Sequence, residues 1–226
     1  MRRSGLYDKL SGYDLIIFDM DGTLYFQRIM QIRMALRLIK DVFTSRQGLR
    51  DLFVILKYRR MREEWDSLNS MDDERLYSAL AEDRGLTADE VRGIIRKWMF
   101  TDPMDVVREC RDEVLLRIME RLLSEGKRIC IYSDYPTEDK CQALGLGTGI
   151  AQYYCGKDGI RTLKPNPSAL FYIMNEYSDI RKSSVIMVGD RADRDKAAAD
   201  NAGIDSLILA RYRILRSILQ ENRFQL

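Results

Sequence analysis

Leu15-Ile16-Ile17-Phe18-Asp19-Met20-Asp21-Gly22-Thr23-Leu24 sets four consecutive apolar residues directly against two carboxylates and a glycine. An apolar run without polar alternation reads as a strand buried on both faces, as in a parallel sheet covered by helices. In an open sheet of that kind the carboxyl ends of the strands line the ligand crevice. Asp19 and Asp21 stand two apart, so their side chains share a face while the strand stays extended, and Gly22 is expected to bend the backbone just beyond. Two acids held close do not both ionise easily, so the pair is expected to hold a cation or to keep one proton.

Outward from that strand the chain has two rhythms. All four prolines, at 103, 136, 165 and 167, lie beyond residue 100, and residues 27–100 contain only Gly48, Gly85 and Gly93. This interval reads as about four helices. Ile29, Ile32, Leu36 and Ile39 recur at helical spacing, and Leu52, Ile55 and Leu56 continue the pattern in a second segment. Thr87 and Glu90 form a capping-box pattern that places another helix start near Ala88. Elsewhere, apolar runs at 15–18, 129–132, 151–155, 185–188 and 206–209 alternate with helical segments at 114–123, 137–144, 167–177 and 193–202. Alternation of this kind predicts an α/β core with a parallel sheet. The helical block interrupts that core after its first strand, so the expected organisation is a core of residues 1–24 and 108–226 with an inserted helical domain over 25–107.

Two further strand ends carry chemistry. Val185-Ile186-Met187-Val188-Gly189 runs into Asp190, with Asp193 and Asp195 close behind. An acid there can share a hard cation with Asp19, and an oxygen-only site suits Mg²⁺ rather than Zn²⁺. Asp193 reads equally well as a helix N-cap, and Asp195 as a first-turn acid favoured by the helix dipole. Ser133 follows Ile129-Cys130-Ile131-Tyr132 and can offer a hydroxyl and a backbone N–H to an anion. Lys164 sits in Thr162-Leu163-Lys164-Pro165-Asn166-Pro167, where flanking prolines stiffen the loop, and can neutralise a phosphoryl group.

Composition narrows the chemistry. The 226 residues include no His, which excludes Ser/His/Asp and Cys/His triads and imidazole metal sites. Cysteines at 110, 130, 141 and 155 form no CxxC pair, so reduced thiols and an intracellular compartment are expected. With 37 basic and 35 acidic residues, the net charge of +2 gives no global reason to expect nucleic acid or membrane as a partner. Arg2 and Arg3 precede no apolar segment of the signal type, and no run reaches membrane-spanning length, so a cytoplasmic protein is expected.

In order along the chain, the strand-end diacid, strand-end Ser, Lys-Pro loop and strand-end acidic cluster resemble the haloacid dehalogenase superfamily. The resemblance covers residues 14–24 and about 114–210 and implies a Rossmann-like core with a helical cap of the C1 type. It implies a phosphoric monoester hydrolase working through an aspartyl-phosphate on a small phosphorylated metabolite, with Mg²⁺ as cofactor. Asp19 would be the nucleophile and Asp21 the acid/base. Ser133 and Lys164 would hold the phosphoryl oxygens, and Asp190 would bind Mg²⁺ with Asp19 and the backbone carbonyl of Asp21. Asp195 would bind or orient the metal. Members that attack carbon lack the second acid, so Asp21 favours phosphate esters over dehalogenation. A sugar phosphomutase on the same core, or a catalytically silent binding module, are the alternatives. Asp134 stands where many members carry Asn.

Charge within the helical block is lopsided. Residues 28–62 hold ten basic and two acidic side chains, and residues 63–99 hold five and ten. Helix faces that attract one another account for this split, and the other reading is that Arg28, Arg33 and Arg37 steer an anionic substrate.

Overall fold

The structure, a computed structural model, describes residues 4–66, 72–147 and 149–209. The segments 1–3 and 210–226, assigned to the core by sequence, lie outside the described residues. Helix α1 (Ser4–Leu10) leads into strand β1 (Leu15–Phe18), which is followed by α2 (Gln27–Thr44), α3 (Arg46–Asp66), α4 (Asp73–Arg84) and α5 (Ala88–Ile95). A π-helical turn over Arg96–Thr101 connects to α6 (Met104–Glu109), and then come α7 (Glu113–Ser124), β2 (Arg128–Ser133), α8 (Glu138–Leu144) and β3 (Ala151–Tyr154). The chain continues through α9 (Ser168–Glu176), β4 (Val185–Gly189), a second π-helical turn over Ala192–Lys196, α10 (Ala197–Ala202) and β5 (Asp205–Ile208).

The strands form one sheet in the order β3-β2-β1-β4-β5. β1 is central, pairing in parallel with β2 (Phe18 opposite Ile131) and with β4 (Phe18 opposite Val188). Leu15, Ile16, Ile17 and Phe18 are all fully buried, which explains why the strand tolerates no polar residue until it ends. The order reverses direction between β1 and β4, and Asp19 and Asp190 are the residues that follow these two strands. A topological switch point is where an open α/β sheet leaves its ligand crevice.

By its internal contacts the chain divides into two compact units. The first comprises residues 1–26, 112–132 and 164–226; the second comprises 27–111 and 133–163. In the first unit, α7 begins at the N-cap Asp112, whose carboxylate accepts from the Val114 and Leu115 N–H groups, and buries Leu115, Leu116, Met119 and Leu122.

In the second unit the sequence punctuation marks the helix ends. Thr87 and Glu90 close a reciprocal capping box at the start of α5, and Asp72 caps α4. Trp98 donates its Nε1–H to buried Asp51 at 2.9 Å. The basic and acidic halves of the helical block do pair, through Lys57 with Asp83 at 2.8 Å and Arg62 with Asp73. Arg33 and Arg37 are engaged by Glu109 and Asp105 of α6. The periodic apolar residues of α2 give an unexpected result: Ile32, Leu36 and Ile39 point to solvent, and Met34 is the buried side chain of that helix. A helical period establishes that one face is apolar, but the core covers a different face here.

Candidate active site

In the first unit, Asp19 emerges from β1 almost completely buried and with both carboxylate oxygens engaged. Thr23 Oγ1 donates to Oδ2 at 2.8 Å, and Lys164 Nζ donates to Oδ1 at 2.5 Å. The same ammonium donates to Asp195 Oδ1 at 2.7 Å, and it lies 5.2 Å from the centre of the Tyr132 ring. Lys164 is itself buried, so its charge is held between two carboxylates. Its loop is pinned from behind: Arg194 donates to the Lys164 carbonyl, and Asn201 donates to the Pro165 carbonyl at 3.1 Å.

The second π-helical turn decides the role of the acids after β4. Asp195 turns back over the strand end, where its Oδ2 accepts from the Asp190 N–H at 3.1 Å and the Arg191 N–H at 3.0 Å. Asp193 is exposed and pairs with Arg191 at 2.5 Å, and the residue at the N-cap position is Arg191. Thus of the two acids left open by sequence, the structure places Asp195 with Asp19 and Asp190. One carboxylate oxygen from each of Asp19, Asp190 and Asp195 lies within 4.8 Å of the others.

This donor set fits a hard divalent cation. Its atoms are all carboxylate oxygens, the set that Mg²⁺ prefers. Asp19 and Asp195 are buried and Asp190 is half-buried, and the Lys164 ammonium lies between the first two. The Asp19 carboxyl titrates above the usual carboxylate range. Burial is the main cause, and the charges of Asp195 and Asp21 add to it against the attraction of Lys164.

Asp21 is half-buried, and its Oδ1 accepts a hydrogen bond from the Tyr25 hydroxyl. Burial and the neighbouring Asp21 charge hold the Tyr25 phenol well above its ordinary value, so it remains a donor. Ser133 lies in the second unit, where it ends β2, is buried, and accepts from the Tyr135 N–H at 3.1 Å. The turn after it is gripped by Arg62 of α3, which donates to the Asp134 carbonyl at 2.9 Å and lies 4.7 Å from the centre of the Tyr135 ring. Tyr25, Thr23 and Arg62 were not among the residues singled out by sequence. Thr23 and Tyr25 stand close to the diacid without any signature of their own, and Arg62 meets its partner 72 residues away.

Two glycines make room for the acids. A Cβ on Gly189 would stand 2.2 Å from Asp195 Oδ2, and one on Gly22 would stand 2.3 Å from Asp190 Oδ2. Gly22 also has φ near 91°, in the region that favours glycine. We expect Gly189→Ala to push Asp195 off the strand end, with a stability loss of about 1–3 kcal/mol in thermal or urea unfolding. Unfolding indistinguishable from wild type would show that Asp195 can occupy another position at no cost.

The haloacid dehalogenase-like hydrolase family model matches residues 13–203. The chain belongs to this family of hydrolases. Among solved structures it is similar to 2-haloacid dehalogenase from Pseudomonas syringae pv. Tomato DC3000, with 17% identity, a TM-score of 0.61, and 87% of this chain and 86% of that one covered. It is also similar to a HAD-superfamily hydrolase of subfamily IA, variant 1, from Geobacter sulfurreducens PCA (13% identity, TM-score 0.55, 87% of each chain). A third is a predicted phosphoglycolate phosphatase from Haemophilus somnus 129pt (19% identity, TM-score 0.53, 88% and 86% covered). No curated protein matches the sequence. At these identities the likeness is one of fold, and it agrees with the Rossmann-like α/β core. No helix among the described residues is long and apolar enough to cross a membrane.

Proposed function

We propose that the protein is a Mg²⁺-dependent phosphatase that hydrolyses a small phosphomonoester through a phosphoryl group carried on Asp19, under a helical cap formed by the 25–107 block. The observation that carries this reading is the convergence of Asp19, Asp190, Asp195 and Lys164 in one buried cluster, with a second, separately oriented carboxylate at Asp21.

Asp19, Asp190 and Asp195 would hold the cation. When bound, Mg²⁺ supplies charge compensation for a phosphate ester next to a carboxylate nucleophile. Thr23 and Lys164 fix the orientation of the Asp19 carboxylate, so the attacking oxygen needs little reorganisation. Asp19 attacks phosphorus and the ester oxygen leaves with a proton from Asp21; Asp21 then takes a proton from the water that cleaves the acyl phosphate, which regenerates both carboxyl groups. Tyr25 holds Asp21 in place for both transfers. Lys164 and Ser133 bind phosphoryl oxygens, Lys164 with a charge that offsets the one developing in the transition state. The presence of a carboxylate at Asp21, hydrogen-bonded by a buried tyrosine, favours phosphate over halide as the group removed.

The test is hydrolysis of p-nitrophenyl phosphate. We expect release of inorganic phosphate without a bisphosphate activator, reduced by at least about 100-fold on chelation with EDTA and restored by added Mg²⁺. Turnover indifferent to chelation would overturn the metal assignment. Failure to release phosphate from any member of a broad phosphate-ester panel would overturn the phosphatase reading.

A further inference from the structure

The helical pair α2 and α3 displays its largest apolar side chains to solvent. Ile32, Leu36, Ile39 and Phe43 of α2, and Leu49, Phe53 and Leu56 of α3, are each between 51% and 85% exposed. At about 100° per residue, each set falls within an arc of about 60° on its own helix. Each arc faces away from the buried side of its helix. Met34 stands on the far side of α2, and Val54, Ile55, Tyr58 and Asp51 on the far side of α3. Folding within the second unit therefore leaves two apolar stripes uncovered among the described residues, more than the scattered exposure normal for a soluble surface.

Charge follows the same geometry. Of the two acids between residues 28 and 62, Asp51 is buried, and Asp41 projects roughly opposite the stripe of α2. Basic residues border the stripes instead: Arg28, Arg33 and Lys40 on α2, Lys57 and Arg59 on α3, with Arg60 inside the second stripe. Arg33, Lys57 and Arg60 are paired with Glu109, Asp83 and Glu64, whereas exposed Lys40 and Arg59 make no ion pair among the described residues. Arg84, paired with Asp83 at 3.2 Å, lies 5.6 Å from the centre of the Phe53 ring. Glu109, Asp83 and Glu64 meet some of these cations, but Lys and Arg outnumber the acids along the borders, which is the distribution of a helix that lies in the interface of an anionic bilayer. Long cationic side chains reach the headgroups while the apolar stripe enters the acyl boundary. A second copy of the chain suits this face less well, since it would bring two basic borders together.

We propose that the α2–α3 face docks on the surface of an anionic membrane. The near-neutral charge of the whole chain conceals the site, because the acidic residues 63–99 balance the basic residues 28–62 in the sum, while Glu64 and Asp83 offset only part of the charge along the stripes. The proposal does not depend on the catalytic reading.

Flotation of the full-length protein with lipid vesicles tests it. We expect the protein to float with vesicles containing phosphatidylserine and not with vesicles of phosphatidylcholine alone, and to be released by high salt. The variant L36S/F43S/F53S should lose at least about tenfold in vesicle affinity, and K40E/R59E should weaken it in the same direction. Both variants should unfold like wild type and hydrolyse a soluble aryl phosphate unchanged, since none of these side chains belongs to the catalytic cluster. Absence of flotation, or flotation undiminished in the apolar variant, overturns the proposal. A dimer in light scattering that L36S/F43S/F53S dissolves, without vesicle binding by wild type, would assign the face to a second copy instead.

Discussion

Asp19→Asn should reduce kcat for an aryl phosphate by at least about 10³-fold while leaving the fold intact. The amide is isosteric with the carboxylate but cannot attack phosphorus, and it replaces one of the three carboxylates gathered in the cluster with a neutral group. The same substitution should leave thermal stability of the metal-free protein unchanged or raise it. Burial pushes the Asp19 carboxyl above its ordinary range, so the folded state disfavours the charged form relative to the unfolded chain. The sign follows from linkage: the resulting penalty is absent at low pH, where Asp19 is protonated in both states, and grows as pH rises above the unfolded value. A neutral side chain at this position escapes it. Activity retained in the Asn variant would sink the covalent mechanism, and a large fall in melting temperature would show Asp19 to be a structural partner of Lys164 first. Stability given up at a reactive group is a common trade in active sites.

Arg62→Met should destabilise the protein by about 2–4 kcal/mol, read as a lowered urea midpoint. The guanidinium is fully buried and donates to the Tyr58 hydroxyl at 2.9 Å, to Asp73 and to the Asp134 carbonyl at 2.9 Å. Methionine keeps most of the volume but leaves these acceptors without their donor. The Asp73 side chain is about a quarter exposed, at 27%, so water relieves part of the loss and the figure lies below that for a fully buried pair. Arg62 also grips the turn whose Tyr135 N–H is bound by Ser133, so KM for the aryl phosphate should rise along with the instability. A stability change below about 1 kcal/mol would place Arg62 with ordinary surface ion pairs.

How much of this was legible in the sequence depends on the distance over which each residue acts. Asp19 and Asp190 were recognisable because an abrupt change from apolar run to acid is a local event, and parallel strands bring such ends to one edge. Lys164 became readable in the company of those ends. The residues' own spacing leaves Asp193 and Asp195 open, and only the family resemblance points to Asp195, because the choice depends on a π-helical turn that gives Asp195 the inward position and leaves Asp193 outside. Periodicity could not choose between them, since it assumes the ordinary helical pitch. Arg62 was counted as one cation among ten, and only tertiary packing distinguishes it from the solvated ones. The apolar rhythm of α2 was readable as a helix, but the pattern does not say whether the core or something outside the chain meets the face.

The glycines behind the acids constrain the order in which this site can change. Gly189 leaves the space that Asp195 fills, so an alanine at 189 meets the Asp195 carboxylate at 2.2 Å and its Cβ at 2.4 Å, whereas the loss of Asp195 to glycine vacates that space. A mutational path that gives up the acid first can then accept the methyl group, and the reverse path passes through a crowded intermediate. Gly22 offers no such reprieve, because its positive φ would strain any side chain even after Asp190 had gone. A lineage abandoning hydrolysis would therefore keep Gly22 longer than Gly189, and the two positions would record different stages of that loss.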